Sequence, residues 1–300
     1  SLRSFQGGLE YSRYKGICSP AYIILRARIA IEDLFFKEFF KTYSYILQLK
    51  SKLEGIRDGK MVSYKYFSET IIPYPTLPEQ QKIAEFLTAV DEKIGQLKRK
   101  KELLEAYKKG AMQKLFSQEI RFKDDQGNPY PDWEEKRLGE VTSKTGKRNK
   151  SGLDLPIYSI NNKIGFNPQA DEFDGLDSNE RGYDTTAYKI IKKNTFAYNP
   201  ARINVGSIGF SGELSGIIIS SLYVCFQTSS ELSDEFVWHF FRGNSFHQEV
   251  LRKSEGGVRM YLFYENFSSI RLPYPTLPEQ QKIAEFLTGI DDKITAVANQ

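Results

Sequence analysis

Basic side chains interleaved with amides, hydroxyls and rings are the residues here whose types and spacing can do chemistry, and that chemistry is recognition of a polyanion. Lys147, Arg148 and Lys150 lie in the turn-rich stretch Lys144-Thr145-Gly146-Lys147-Arg148-Asn149-Lys150-Ser151, and Asn161, Asn162 and Lys163 follow on a second predicted turn. Arg252, Lys253, Arg259 and Tyr261 flank Gly256-Gly257, and Lys52, Arg57, Lys60 and Tyr64 fall in the corresponding part of an earlier segment. Cations position a protein on phosphates, whereas Asn, Gln and Arg can read base edges through paired hydrogen bonds. Lys147, Arg148, Lys150, Arg252 and Lys253 are therefore expected to meet phosphates or groove walls. Asn161, Asn162, Arg202, Arg259 and Tyr261 are expected nearer base edges. Any one such loop reads equally well as a solvated charge cluster; recurrence at equivalent places favours DNA. The run Lys98-Arg99-Lys100-Lys101 is weaker, because on an exposed helix face it serves solubility.

Catalytic and metal chemistry finds no support. Asn199-Pro200-Ala201-Arg202 opens like the Asn-Pro-Pro-aromatic signature of amino-methyltransferases but lacks the second proline and the aromatic. Gly146-Lys147 has no Gly five residues before it and Arg at 148 where a phosphate-binding loop needs Ser or Thr. His239 and His247, the only histidines, have no clustered Cys or acidic ligands, and are assigned to helix surfaces or satisfied core positions. No catalytic residue, metal ligand or cofactor is expected in this chain.

The charge of +4 permits a polyanionic partner without requiring one. No apolar run approaches the roughly 18 residues that span a bilayer, so no membrane is expected as partner. The opening Ser1-Leu2-Arg3-Ser4 lacks the charged start and apolar run of a secretory leader. Cys18 and Cys225 form no framework and no ligand spacing, and a reducing cytoplasm is the expected compartment.

The elements that must position these residues are set by a repeat. Pro73 to Thr88 recurs without change as Pro273 to Thr288, an offset of 200 that marks a duplicated domain-sized unit. Both copies carry Thr-Leu-Pro-Glu, a capping-box pattern that predicts a helix start. Ile83, Leu87, Val90, Ile94, Leu97 and Leu104 continue as a heptad seam, predicting one helix over 79–116, about 57 Å long. Ile283, Leu287, Ile290 and Ile294 repeat the register, so the two helices are expected to pair antiparallel; one long helix packed on its own domain is the other reading. Upstream, Phe35–Lys41 answers Phe236–Arg242 as an amphipathic helix, and Gly16-Ile17 with Tyr22-Ile23 answers Gly216-Ile217 with Tyr223-Val224 as strands. Each unit is thus a mixed α/β globule followed by a long helix.

These residues resemble the specificity subunit of type I restriction-modification systems. The likeness rests on the duplicated Pro-Tyr-Pro-Thr-Leu-Pro-Glu-Gln-Gln-Lys-Ile-Ala-Glu-Phe-Leu, on the helix end Tyr107-Lys108-Lys109-Gly110-Ala111-Met112-Gln113-Lys114-Leu115-Phe116, and on the opening Tyr130-Pro131-Asp132-Trp133-Glu134. The resemblance implies an α+β fold with two target-recognition globules separated by long helices that pair as an antiparallel coiled coil. It implies a non-catalytic subunit that reads a bipartite double-stranded DNA target and carries methyltransferase subunits and, through them, endonuclease subunits. S-adenosylmethionine, ATP and Mg2+ then belong to those partners. The expected division is residues 1–75 as the second half of a first recognition domain, 76–117 as the first helix, 118–275 as the second recognition domain and 276–300 as the start of the second helix. On that pattern the first domain lacks its front half. The alternatives are a coiled-coil scaffold without sequence-specific DNA binding, and a methyltransferase fusion, for which no cofactor motif is visible.

Overall fold

The computed structural model describes residues 9–51, 64–172, 175–256 and 260–300. They form two compact units, residues 1–100 and 101–300. The first unit carries α1 (Asp33–Phe39), α2 (Tyr43–Ser51), α3 (Tyr64–Ser68) and the larger part of α4 (Leu77–Phe116), whose last turns belong to the second unit. Its core is small: Phe35 and Phe36 pack with Ala84, Ile83 and Ile72, and Tyr45 and Leu49 pack with Phe39, Phe40 and Phe67. The stretches around Gly16-Ile17 and Tyr22-Ile23, expected as strands, are exposed, with a turn in which Tyr22 N donates to Ser19 O, and pair with no strand among the described residues. Their counterparts in the second unit are strands because neighbouring strands bond their backbones.

The second unit contains β1 (Glu134–Arg137), α5 (Leu138–Val141), β2 (Thr142–Thr145), β3 (Ile157–Asn161), β4 (Gly165–Pro168), β5 (Lys189–Ile191), β6 (Phe196–Tyr198), β7 (Ile208–Phe210), β8 (Ile217–Ile219), β9 (Val224–Thr228), α6 (Asp234–Phe241), α7 (Asn244–Lys253), α8 (Tyr264–Ser268), β10 (Arg271–Tyr274) and α9 (Leu277–Ala298). The sheets run β2-β9-β6-β7 and β4-β3-β8-β5, and β1 pairs antiparallel with β10. Side-chain alternation explains the layering. Phe196 and Tyr198 of β6 and Phe226 of β9 face an aromatic core with Phe236, Phe241, Phe246 and Phe267. Ala197 and Cys225 point the other way, into a layer of Ile160, Ile191, Ile217 and Ile219 between the sheets. That burial pushes the Cys225 thiol up to about 11, so it stays protonated as a core residue.

The duplication is structural as well as sequential. Gln80 Oε1 accepts from Glu32 N at 2.9 Å at the start of α1, and Gln280 Oε1 accepts from Ser233 N at 2.8 Å at the start of α6. The amide of each glutamine donates to the carbonyl of Pro75 or Pro275 at 2.8 Å. Tyr74 and Tyr274 hydroxyls donate to Ala30 and Glu231 carbonyls at 2.6 and 2.9 Å. The conserved string is a clasp that fastens a long helix to a short one.

One expectation is corrected. Thr276 makes no side-chain cap, and the Glu279 carboxylate bonds Arg121 and Trp133. Ile283, Leu287 and Ile290 of α9 are buried chiefly against α6 (Phe236, Val237, Phe240), joined by Met112 and Leu115 from the last turns of α4. There the order of contacts is antiparallel: Lys108 Nζ meets Asp291 at 2.5 Å, and further along the chain Arg121 meets Glu279 at 2.9 Å. Ile294 packs at the edge of this cluster. Ile83 packs on α1 instead, Leu87, Leu97 and Leu104 are only half-buried, and Val90 and Ile94 remain 39% and 44% exposed.

Candidate nucleic-acid interface

The second unit has a broad groove of about 1130 Å³, with a helix on one side and globule turns on the other. The last turns of α4 supply Lys108, Lys109, Gln113 and Lys114, and the opposite wall carries Asn162, Lys163, Asn204, Val205, Gly206 and Arg242. Five cationic side chains line it against the carboxylates of Glu105, Glu119 and Asp291. Lys108 is committed to Asp291, and Lys114 reaches Glu119 at 2.7 Å.

Local structure explains why these side chains converge. α4 ends in a left-handed turn at Gln118 (φ 59°), where Gln118 N donates to Leu115 O and Ile120 N to Lys114 O, leaving the lysines on the final turns. Gly206, at φ 90°, closes the turn after β6 in a left-handed conformation that favours glycine. Arg242 lies over the Trp238 ring at 4.8 Å and donates to the Lys163 carbonyl at 3.0 Å, which fixes the β3–β4 turn onto α6. Beneath this wall His239 is buried, its Nε2 3.1 Å from Thr288 Oγ1. Burial, with Lys108 next in size, lowers its pKa to about 4, so the ring is neutral at physiological pH.

The sequence-predicted residues divide among three places. Asn162 and Lys163 line the groove, whereas the Asn161 amide donates to exposed Glu172 Oε1 at 3.0 Å while its oxygen accepts from Lys163 N at 2.8 Å. Lys147, Arg148 and Lys150 are exposed on a separate loop. It is pinned to β5 by Ile190 N to Lys147 O at 2.8 Å and shaped by buried Asn149, which bonds both ways to the backbone of Leu153. Lys189 beneath that loop is held below its usual pKa by burial, which Cys225 opposes and to which Lys144 and Arg148 add like charge. Arg202 is exposed on the turn after β6, where Pro200 O accepts from Leu262 N at 3.0 Å, and Tyr261 stacks on Phe263 at 5.9 Å. Arg252 pairs with Glu249 on its own helix at 2.6 Å, and half-buried Lys253 donates to Ser269 Oγ at 2.8 Å, so the Lys253 headgroup is committed within the unit. Tyr64 is exposed on α3. Lys52, Arg57, Lys60 and Arg259 lie outside the described residues.

Lys109, Gln113, Lys114, Asn204 and Arg242 were not among the expected contacts. Arg242 had a signal, since it answers Lys41 in the repeat. The helix lysines lay inside a segment that the heptad pattern assigns to spacing.

The chain resembles known proteins over most of its length. A family model described as the type I restriction modification DNA specificity domain matches residues 13–106 and 130–300. The chain is similar to the type I restriction enzyme MjaVIII specificity subunit of Methanocaldococcus jannaschii, at 26% identity over 298 residues, covering 93% of this chain and 68% of that protein. It is also similar to the putative type I specificity subunit S.MpnORF507P of Mycoplasma pneumoniae, at 26% over 255 residues, 83% of this chain and 62% of that one. Among solved structures, the type I restriction-modification S subunit from M. genitalium superposes with a TM-score of 0.55 at 17% identity, covering 90% of this chain and 68% of that one. A chain from a study of assembly and conformational transition of the type I R-M system gives 0.52 at 18%, over 89% and 65%. At those identities the structures speak for the fold.

Proposed function

Since the chain belongs to the type I restriction-modification DNA specificity family, whose role is recognition of DNA sequence, we propose that its second unit reads one half of a bipartite duplex target through the groove between α4 and the β3–β4, β6–β7 and α6–α7 turns. The observation that carries this reading is the pairing of helix lysines with turn amides across one opening. Lys109 and Lys114 sit where phosphates would pass. Asn162, Asn204 and Arg242 sit where directional bonds to base edges are made. The loop of Lys147, Arg148 and Lys150 is a second, positioning contact to the backbone.

On the same reading, residues 118–275 are the recognition domain, 76–117 and 276–300 supply the helical spacer, and the helices carry methyltransferase subunits and through them endonuclease subunits. S-adenosylmethionine, ATP and Mg2+ are assigned to those partners. The setting is the cytoplasm; among the described residues no helix is long and apolar enough to cross a membrane.

The test is selection from random duplexes by the chain with and without its methyltransferase, followed by salt titration of Lys109→Ala and Asn162→Ala on the selected and scrambled sites. Lys109→Ala should weaken both duplexes alike and lower the salt slope by about 1, whereas Asn162→Ala should cost about 1 to 3 kcal/mol on the selected site only. No enrichment in either selection would leave a scaffold as the function.

A further inference from the structure

Two aliphatic side chains stand exposed on the groove wall at positions where turn geometry asks for none. The β3–β4 hairpin turns through Asn162, Lys163 and Ile164, since Asn161 pairs with Gly165, and Ile164 is 65% exposed. The β6–β7 connection contains one turn of 3-10 helix, Ile203–Val205, in which Ile203 is buried in the core and Val205 is 53% exposed. Val205 lines the groove with Asn162 and Asn204, and Ile164 sits between Lys163 and Gly165, which line it too. Tight turns favour Asn, Gly and Ser. An exposed Ile or Val there neither shapes the backbone nor fills the core.

The two turns are held side by side. Ser207 Oγ donates to Ile160 O at 2.9 Å, and a Cβ on Gly165 would come within 3.3 Å of Gly209 Cα. From α6, Arg242 bonds the Lys163 carbonyl at 3.0 Å. The aliphatic pair is thus presented by one braced wall, among the amides of Asn162 and Asn204 and the charges of Lys163 and Arg242.

In the major groove a DNA duplex offers such a pair one apolar group, the 5-methyl of thymine; the other groups at the base edges are donors and acceptors. Pressed against an aliphatic side chain, those donors and acceptors lose water without gaining a bond. An apolar wall therefore accepts a methyl and rejects the amino group of cytosine or adenine. We propose that Ile164 and Val205 are specificity-determining residues that read a thymine through its 5-methyl group, while the neighbouring amides read adjoining base edges. This inference rests on the DNA reading of the groove proposed above and goes beyond it in naming a base.

The test uses the duplex selected by the chain with its methyltransferase, resynthesised with each thymine replaced in turn by deoxyuridine, which lacks only the methyl. At one thymine, or at two neighbouring ones, the parent chain should bind about fourfold more weakly without the methyl, the effect of burying one such group. In the double variant Ile164→Ser with Val205→Ser, thymine and deoxyuridine at that position should bind alike. Both residues are exposed, so circular dichroism melts should show the variant folded, and the comparison within the parent chain needs no variant. A selected site at which deoxyuridine binds like thymine throughout would overturn this inference and leave the DNA reading standing, even if the double variant binds weakly, as it would for an apolar wedge between base steps. A methyl preference that survives in the double variant would also overturn it, by placing the reader elsewhere. Failure to select any site would remove the DNA reading and this inference with it.

Discussion

His239 offers a direct test of how the groove wall is held. Its ring is 2% exposed on α6, and Nδ1 has no hydrogen-bond partner among the described residues. Burial is the largest influence on its charge, Lys108 and Arg242 add to it, Asp291 opposes it, and the pKa falls from 6.5 to about 4. Between those values the unfolded chain binds a proton that the folded unit does not. The stability is therefore complete above about pH 6.5 and is lost as pH falls toward 4. At about 1.36 kcal/mol per pH unit the whole effect is about 3 kcal/mol, and about 2 kcal/mol of it is gone by pH 5. The two tryptophans, Trp133 and Trp238, both lie in the second unit, so urea unfolding followed by their emission reports that unit. The parent should lose about 2 kcal/mol more than His239→Gln between pH 7.5 and pH 5, since carboxylate titration cancels in the difference. Parallel pH curves for the two proteins would refute the argument that this imidazole is desolvated by the packing of α6 on α9.

Arg121→Ala leaves Glu279 buried beside Trp133 alone and should cost the second unit about 3 to 5 kcal/mol in the same unfolding assay. Glu79→Ala, the equivalent glutamate in an identical string, should change thermal stability by no more than about 0.5 kcal/mol because it faces solvent. Gln80→Ala and Gln280→Ala should each cost about 1 to 3 kcal/mol by leaving a helix-start N–H without its acceptor, and a neutral result for both in denaturant titrations would dismiss the clasp.

How much of this was legible in the sequence depends on whether the signal was local. The helices over 77–116 and 277–298 were readable because a proline-marked start and an apolar period act within a few turns. What covers the stripe was not. A heptad pattern says only that a face wants apolar company, and Phe236, Val237 and Phe240 of α6 supply it for α9, while Val90 and Ile94 are 39% and 44% exposed. Likewise Thr-x-x-Glu marked a helix start correctly, yet Glu279 serves Arg121, 158 positions away, a partner that no local rule identifies. Strand propensity around Tyr22-Ile23 failed for a related reason. The matching β9 is a strand because β2 and β6 flank it, and no strand flanks Tyr22-Ile23 among the described residues.

The site was half legible for a different reason. Cations and amides on turns stand out by composition, and Asn162, Lys163 and the loop from Lys147 to Lys150 were found that way. Composition does not say which turns face one another, and the structure separates that loop from the groove. Nor does it reveal that Lys109 and Lys114, on a helix read as a spacer, form the wall opposite the turn amides. Spacing and contact then reside in the same residues. A helix that holds a globule at a set distance also holds its own lysines at a set distance from that globule's amides. Shifting the helix by one turn would move the lysines about 5.4 Å along the groove without altering any side chain. The register of α4 on the second unit, held by Leu115 in the core and by the Lys108–Asp291 pair, is therefore part of the proposed recognition surface rather than only its support.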